Sequence, residues 1–225
     1  MSGKKDVDAW DLEYTHLEWG GVSDAAWIKQ RLLPGRVLLD AGCGTGRYVK
    51  EFFPANTCFA LDFSKQAVFR SAESTASFYG RLSAKKKETV FPEFIIGDIA
   101  HLPFSGGFDT ILCLGVLQHL TANARKTAVS EFFRVLQPKG LVFFEAFGTR
   151  DMRFGSEQQN ESPEPNSFVR QNGIFYHYFE ENEVIELFEK NGFETVEIKS
   201  VEKEKKYDGK TYIRHHIRGV FEKRQ

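Results

Sequence analysis

The densest chemical signal in the sequence is the stretch from Asp40 to Gly46, DAGCGTG, which follows an apolar run and precedes a helical pattern. Glycine at every second position permits unusual φ angles and lets a ligand approach the backbone without interference from a Cβ atom. In open α/β sheets, ligands bind at the carboxyl ends of strands, where this turn lies. We therefore expect Gly42, Cys43, Gly44 and Gly46 to contact a ligand; a tight turn without one is the alternative.

The acidic residue before the turn indicates the charge of that ligand. Dinucleotide-binding turns have the spacing G-x-G-x-x-G and hold a pyrophosphate at the start of a helix. This turn has the spacing G-x-G-x-G instead. Asp40 would repel a pyrophosphate and attract an ammonium group. The sequence therefore favours a ligand that carries a cation over a nicotinamide dinucleotide.

Two further aspartates end the next two predicted strands. Asp62 follows CFAL at the usual distance of about 20 residues from the turn, where an acidic residue accepts hydrogen bonds from ribose hydroxyls. Asp98 follows FIIG and is expected on the same rim of the sheet. Any one of these aspartates could instead cap a helix. Acidic residues at the ends of three successive strands favour a ligand site.

Candidate groups for catalysis lie further along the chain. His119 comes just after the fourth predicted strand and could accept a proton. The alternative is a histidine at a helix start, hydrogen-bonded to the backbone. Tyr176 and His177 belong to the aromatic segment FYHYF, which suits a substrate pocket or the stacking of a planar base. The alternative for this segment is a strand that packs on the following helix.

The elements that must position these residues form an α/β pattern. Short apolar runs alternate with amphipathic stretches from residue 36 onward, as in a mostly parallel sheet covered on both faces by helices. Strands are predicted at 37–39, 57–61, 93–96, 108–114 and 141–144. Helices are predicted at 24–33, 64–82 with Ser64 as cap, 124–137 and 180–193. Two alternating segments, 194–201 and 211–223, predict a final antiparallel pair.

The 225 residues, 41% of them hydrophobic, are sufficient for one packed core, and the sequence shows no repeat or second core. We predict a single domain, 1–225, in four parts. These are an N-terminal helical lid segment (1–35), a cofactor-binding core (36–148), a loop insertion on the substrate side (149–180), and a closing helix with a β-hairpin (181–225). Because the stretch 149–170 is polar and has no period, a long loop is predicted there.

From about residue 36 to residue 147, these motifs resemble those of the class I S-adenosylmethionine-dependent methyltransferases. The turn after Asp40 is similar to the family's first motif, Asp62 to its second, and Asp98 to its adenine-contacting acid. The segment 113–120, CLGVLQHL, is similar to its fourth motif. The resemblance implies S-adenosylmethionine as the cofactor and a doubly wound α/β sheet of seven strands, mostly parallel, with the last strand antiparallel.

The resemblance also implies which residues contact the cofactor. Phe63 would flank the adenine, Ile99 would lie beside it, and Tyr14 would belong to an N-terminal segment that closes over the site. The residues implied as cofactor-binding are Tyr14, Asp40, Gly42, Cys43, Gly44, Gly46, Asp62, Phe63, Asp98, Ile99, Leu114 and His119.

The predicted activity is methyl transfer to a small molecule or to RNA, with a small molecule favoured. Such a transfer is an in-line displacement, so the protein mainly aligns the nucleophile and excludes water. The region after residue 170 also resembles methyltransferases that esterify a carboxymethylated wobble uridine in tRNA. Basic tracts at 84–88 and 214–224 could bind RNA, although a charged edge strand is the favoured interpretation of the second. A nicotinamide-dependent oxidoreductase and a non-catalytic cofactor sensor are alternatives of other classes.

Net charge, cysteine positions and the lengths of apolar runs indicate which partners and which compartment to expect. A formal net charge of -1 gives no global attraction to nucleic acid or membrane. Cys43, Cys58 and Cys113 lie far apart in or beside apolar runs, which predicts buried thiols in a reducing compartment and no metal site. The start of the chain lacks the apolar core of a signal peptide, and no apolar run approaches the roughly 18 residues of a membrane span, so a cytoplasmic location is predicted. The oligomeric state stays open.

Overall fold

The computed structural model describes residues 4–16, 24–82, 90–156 and 159–225. The strands are β1 (Val37–Ala41), β2 (Thr57–Asp62), β3 (Glu93–Ile96), β4 (Phe108–Leu114), β5 (Leu136–Phe147), β6 (Gln159–Glu161), β7 (Ser167–Arg170), β8 (Phe175–His177), β9 (Phe193–Tyr207) and β10 (Lys210–Lys223). The helices are α1 (Lys4–His16), α2 (Ala26–Lys29), α3 (Arg47–Phe52), α4 (Lys65–Gly80), α5 (Ala122–Val135) and α6 (Glu181–Glu189), and a 3₁₀ turn lies at Leu117–His119.

A seven-stranded sheet has the order β3-β2-β1-β4-β5-β10-β9. The strands β1 to β5 are mutually parallel, whereas β10 runs antiparallel to both of its neighbours, β5 and β9. The order reverses at β1, so the carboxyl ends of β1 and β4 flank the switch point at which open α/β sheets bind ligands. The predicted α/β fold, a mostly parallel seven-stranded sheet with an antiparallel last strand, is confirmed.

Both faces of this sheet are covered, and neighbouring residues on one strand enter different cores. Leu38 and Phe143 belong to the cluster that contains α2, whereas Phe144 and Phe221 belong to the cluster that contains α5 and α6. Since side chains alternate between the faces of a strand, apolar runs of this kind can fill two cores. The ring of Phe221 stacks on that of Phe188 in α6, with centroids 3.9 Å apart.

Two sequence expectations about the second half of the chain are wrong. The long polar stretch is not a loop throughout, because β6, β7 and β8 form a small antiparallel sheet. Strands of three or four residues are too short to show a period in the sequence. The basic tract at 214–224 lies on β10, which β9 covers, so it is not a charged edge strand.

The remaining local predictions agree with the structure at most element ends. Ser64 caps α4, since its Oγ accepts a hydrogen bond from the amide of Ala67. The helix predicted at 24–33 is shorter, Ala26–Lys29. Cys43, Cys58 and Cys113 are buried free thiols. In the described part of the chain, no helix is both long enough and apolar enough to cross a membrane. The basic tract at 84–88 lies outside the described residues, and the four-part division of the domain stays a prediction.

Candidate active site

A cavity of about 910 Å³ lies at the carboxyl ends of the central strands. The glycine turn, α1, the 3₁₀ turn, β8 and the first half of β10 enclose it. It is lined by most of the residues that the sequence predicts for the site, namely Tyr14, Gly42, Cys43, Gly44, Asp62, Phe63, Asp98, Ile99, Leu114, His119 and Tyr176. Asp40, Gly46 and His177 are not among the residues that line it.

The glycine turn is shaped by protein neighbours as well as by access to the cavity. Gly42, Gly44 and Gly46 all have positive φ angles, which glycine adopts without strain. A Cβ atom on Gly46 would lie 2.3 Å from the Oγ of Ser71, so glycine there lets the turn pack against α4. A Cβ atom on Gly44 would lie 3.1 Å from the hydroxyl of Tyr14. Gly44 therefore faces the cavity, and Gly46 faces a helix.

Asp62 presents a fixed carboxylate to the cavity. Its Oδ2 accepts a hydrogen bond from the amide of Gly44 at 3.0 Å, and its Oδ1 accepts one from the amide of Ser64 at 2.9 Å. These bonds tie the end of β2 to the glycine turn and orient both oxygens. Burial raises the pKa of the Asp62 carboxyl to about 6. Each oxygen has further lone pairs with which a carboxylate can accept bonds from hydroxyl groups.

Asp40, which the sequence places at the rim, lies beneath the turn instead. It is two residues after Leu38 on β1 and therefore points to the same face of the sheet, where α3 packs. The amide of Val49 donates a hydrogen bond to it. Its Oδ2 has no hydrogen-bond partner in the part of the chain that the structure describes. Burial, reinforced by the charge of Asp62, raises the pKa of Asp40 to about 7.

Asp98 combines the two roles considered for it. Its Oδ1 accepts a hydrogen bond from the amide of Ala100 at 2.9 Å, so the carboxylate stabilises the turn after β3. The same residue and its neighbour Ile99 line the cavity. A stabilised turn and a ligand contact are compatible here because the other oxygen, Oδ2, faces His101 at 3.5 Å and accepts no hydrogen bond from the residues that the structure describes.

His119 is held in one orientation by its neighbours. The amide of Phe147 donates to Gln118 Oε1 at 2.9 Å, which directs the Gln118 amino group towards His119 Nε2 at 3.2 Å. His119 Nε2 is therefore the acceptor, and Nδ1–H donates to the carbonyl of Phe175 at 3.0 Å. Burial lowers the pKa of His119 to about 4. Near neutral pH the imidazole is uncharged, and its lone pair is already used.

The ring of His119 sits between two aromatic side chains that also line the cavity. Its centroid lies 4.7 Å from that of Trp10 and 4.6 Å from that of Tyr176, edge to face in both cases. Trp10 and Tyr14 come from α1, which we call the lid. Asp11 of the lid contacts Ser64 Oγ at 2.5 Å at the start of α4, and Glu13 accepts a bond from Asn172 at 3.2 Å. These bonds hold the lid over the cavity.

His177 lies on the other side of the segment from Tyr176, in a buried polar cluster. Its Nδ1 is 2.8 Å from Ser167 Oγ, and its Nε2 is 2.8 Å from Glu183 Oε1. Both ring nitrogens are engaged, and neither faces the cavity. Successive residues of a strand point to opposite faces, so only one of Tyr176 and His177 could enter the cavity.

The same cluster fixes the insertion to α5. The Arg125 side chain, 5% exposed, pairs with Glu164 of the insertion and donates to the carbonyl of Leu120 at 2.7 Å. Glu164 also accepts a bond from the amide of Ala122 at 2.9 Å, at the start of α5. Thr121, the residue in the N-cap position of that helix, makes no side-chain cap of its own. The insertion therefore supplies the capping group that the helix lacks.

Several residues of the cavity wall were not predicted from the sequence. They are Trp10, Arg47, Tyr48, Gln118, Glu145, Phe147, Arg153, Arg214 and His216. Arg214 and His216 lie two positions apart on β10, so they point to the same face of the sheet. Their alternation in the sequence would have predicted a shared site if β10 had been expected inside the sheet. Arg153 gave no signal, because it lies in an aperiodic stretch that only the tertiary structure brings to the cavity.

Comparison with known proteins finds similarity to methyltransferases. Residues 39–144 match a family model described as a methyltransferase domain. The tRNA N(3)-methylcytidine methyltransferase trm141 of Schizosaccharomyces pombe is 25% identical over 219 residues, which cover 88% of this chain and 84% of that protein. The tRNA (carboxymethyluridine(34)-5-O)-methyltransferase of Arabidopsis thaliana is 28% identical over 156 residues, which cover 63% of this chain but only 34% of that protein.

The fold is shared with solved structures of lower sequence identity. The crystal structure of an S-adenosylmethionine-dependent methyltransferase from Anabaena variabilis superposes with a TM-score of 0.69 at 19% identity. The match covers 97% of this chain and 95% of that one.

We predict that Asp40→Asn stabilises the ligand-free protein in a pH-dependent way. Since the folded-state pKa of Asp40 is raised from 3.8 to about 7, the folded protein holds a proton that the unfolded chain releases. The stability contributed by that proton is complete below pH 4 and is lost as the pH rises to 7. In urea unfolding, the free energy of unfolding of the variant should rise relative to that of the wild type between pH 4 and 7. The difference should level off at on the order of 2–4 kcal/mol.

Asp208→Asn serves as the control for this substitution, because Asp208 is exposed in the turn between β9 and β10. The control should show no such trend. A difference between Asp40→Asn and wild type that is constant from pH 4 to pH 8 would contradict the assignment.

We predict that His177→Ala acts on stability. The substitution removes the hydrogen bonds that the His177 ring makes with the buried Ser167 and the partly exposed Glu183, which should lower the free energy of unfolding by about 1–3 kcal/mol. The folded variant should retain its affinity for S-adenosylhomocysteine, measured by calorimetry. His16→Ala, at an exposed position in the last turn of the lid, should leave both quantities unchanged. Unchanged stability of His177→Ala would show that the cluster does not hold the insertion.

Proposed function

The chain is a class I S-adenosylmethionine-dependent methyltransferase, and we propose that it methylates a small molecule bound in the same cavity as the cofactor. The observation that carries this proposal is the continuity of the cavity. The glycine turn and Asp62 line one part of it, and Phe147, Arg153 and His216 line another. The lid packs over both, which favours an acceptor small enough to be enclosed.

The residues at the switch point suit the chemical groups of the cofactor. We assign the fixed carboxylate of Asp62 to the ribose hydroxyls, and Phe63 and Ile99 to the two sides of the adenine. Arg47, which lines the cavity at the start of α3, suits the carboxylate of the methionine moiety. Asp40 supports the turn from below rather than contacting the cofactor. When bound, S-adenosylmethionine supplies a methyl group already activated by the positive charge on sulfur.

The protein's own contribution is alignment and exclusion of water. Trp10 and Tyr14 of the lid cover the glycine turn, and Tyr14 contacts the Gly44 side of it. We assign His119 to positioning, because its neutral ring is fixed between Trp10 and Tyr176 and its lone pair is engaged by Gln118. Tyr176 forms the wall against which the acceptor lies.

His216 is the group placed to accept a proton if the acceptor's nucleophile carries one. It lines the cavity, and no hydrogen bond to its ring nitrogens occurs within the described ranges. Its ring packs on Phe147 with centroids 5.3 Å apart, which fixes its orientation. Burial lowers the pKa of His216, so the imidazole is neutral and able to take a proton near neutral pH.

A second candidate acceptor is a tRNA nucleoside. The observation that favours it is the similarity to two tRNA methyltransferases, one of them aligned over 88% of this chain. A wobble uridine would then have to be extruded from its stack to reach the cavity. The placement of the basic tract counts against this candidate, because Arg214 and His216 of β10 line the cavity instead of forming an exposed basic surface. The three buried free thiols support the cytoplasm as the proposed compartment.

We predict that Asp62→Ala weakens cofactor binding. Hydrogen bonds to a charged group contribute about 1.5–3 kcal/mol, so the affinity for S-adenosylhomocysteine should fall roughly 10- to 100-fold. Asp8→Asn, at an exposed position of the lid, should bind as the wild type does. Calorimetric titration of both variants measures the effect. Equal affinity of Asp62→Ala and wild type would show that the ribose lies elsewhere.

The acceptor class is tested by incubating the protein with S-adenosylmethionine labelled in the methyl group and with separate metabolite and tRNA fractions. We expect label in the metabolite fraction. Tyr176→Ala should reduce the transfer at least tenfold while changing the affinity for S-adenosylhomocysteine much less, because Tyr176 faces the acceptor. Label in tRNA alone would establish the second candidate. Loss of both properties in Tyr176→Ala would show that the side chain is structural.

A further inference from the structure

We propose that the acceptor carries an anionic group, a carboxylate or a phosphate monoester, which Arg153 and Arg214 bind at the β10 end of the cavity. This assignment rests on the proposed function, since it names the class of substrate that the same cavity takes. The observations are a buried carboxylate that binds the Arg214 side chain and the Arg153 backbone, the absence of a carboxylate partner for the Arg153 side chain in the described residues, and an aromatic ring that contacts both arginines.

Asp151 binds Arg214 through its guanidinium and Arg153 through its backbone amide. Its side chain is fully buried, and its Oδ2 accepts bonds from Arg214 Nε at 2.7 Å and from the amide of His215 at 3.0 Å. Its Oδ1 accepts a bond from the amide of Arg153 at 3.1 Å. Arg214 uses Nε for this ion pair, which leaves its two terminal nitrogens available, and the residue lines the cavity. The Arg214 side chain is only 14% exposed.

Arg153 has no carboxylate partner within the part of the chain that the structure describes. Burial lowers the pKa of its guanidinium, and the nearby charges of Arg214 and Arg170 lower it further. Arg170 is 4.0 Å from the ring centroid of Tyr176 and is likewise without an ion pair among the described residues. Arg153 and Arg214 therefore line this end of the cavity with Arg170 nearby, and Asp151 is the carboxylate that the structure pairs with Arg214.

The other acidic side chains near this end are already engaged. Glu145 pairs with Arg218 at 2.6 Å, and Glu202 pairs with Arg150 at 2.7 Å. Glu13 of the lid accepts its bond from Asn172. A cluster of like charges that is partly removed from water is unfavourable, and a bound anion offsets that cost. Arginine in place of lysine is suited to a planar carboxylate or a phosphate, which it binds through two parallel hydrogen bonds.

The aromatic surroundings indicate the body of the acceptor. The ring of Phe147 contacts both arginines, with Arg153 at 5.5 Å and Arg214 at 5.0 Å from its centroid. Its ring is also stacked with Tyr176, at 6.3 Å, and Tyr176 faces the cavity beside Trp10. Flat apolar walls beside an anion-binding end suit a small planar acid.

Calorimetric titration of the protein saturated with S-adenosylhomocysteine tests the proposal. The probes are benzoate and phenyl phosphate, which separate the two sources of negative charge, and benzamide as the neutral analogue. At least one of the anions should bind tenfold or more tightly than benzamide. Arg153→Gln should reduce that affinity roughly 10- to 100-fold, the effect of losing a charge-assisted hydrogen bond.

Arg150→Gln is the matched control, because it removes the same charge from the same segment. The Arg150 side chain is 59% exposed and pairs with Glu202 outside the cavity. This variant should bind the anions as the wild type does. Arg153→Gln should also unfold at the same temperature as the wild type or above it, since it relieves repulsion, so weakened binding would not reflect misfolding.

Three outcomes would overturn the proposal: equal affinity for benzoate, phenyl phosphate and benzamide, no binding of either anion, or equal losses in Arg153→Gln and Arg150→Gln. Labelling of tRNA by Arg153→Gln at the wild-type rate would overturn it as well. The affinity for S-adenosylhomocysteine, measured first, distinguishes the two levels of failure. If that ligand binds and the anions do not, the acceptor class is wrong; if it does not bind, the proposed function itself fails.

Discussion

The direction of β10 is the constraint on which the acceptor end of this structure depends. Parallel strands present their carboxyl ends at one edge of the sheet, whereas an antiparallel strand begins at that edge. The first half of β10 therefore reaches the same edge as the ends of β1 and β4. Arg214 and His216 are brought to the cavity by this reversal. Pairing with β9 keeps β10 inside the sheet, and the lid and the insertion enclose the cavity that these polar side chains line.

Buried ionic clusters then fix the insertion that closes the cavity. On one side, Arg125 and Glu164 join the insertion to the start of α5, and Glu164 caps that helix. On the other side, Asp151 joins the insertion to β10 through Arg214. Breaking such a pair would leave an unpaired charge in the interior, which is energetically costly. The clusters therefore fix the position of the insertion. Tyr176 and Arg153, two of the acceptor-side residues, are placed by these attachments.

The cofactor end depends on a different interaction, between a buried carboxylate and backbone amides. The Asp62 carboxylate accepts bonds from the amides of Gly44 and Ser64, so the ends of two neighbouring strands hold each other. The glycines of the turn allow this approach, and Gly46 in addition allows close packing on Ser71. One motif therefore serves two purposes, ligand access and helix packing, and the second purpose explains why Gly46 lies outside the cavity.

Much of the cofactor end could be predicted from the sequence, because its signals are local. A glycine turn after a strand, and acidic residues at the ends of the following strands, define the α/β order and place Asp62 and Asp98 on one rim. The side of the sheet to which Asp40 points, the packing of Gly46 and the choice between Tyr176 and His177 depend on neighbours that are distant in sequence. The arginine cluster depends on distant neighbours as well, because the buried carboxylate of Asp151 and the ring of Phe147 bring Arg153 and Arg214 together. The sequence by itself determined the fold class through strand periodicity, and it indicated the cofactor through local motifs that resemble those of a known family. The acceptor end was decided only by tertiary packing, because its residues come from segments that share no local pattern.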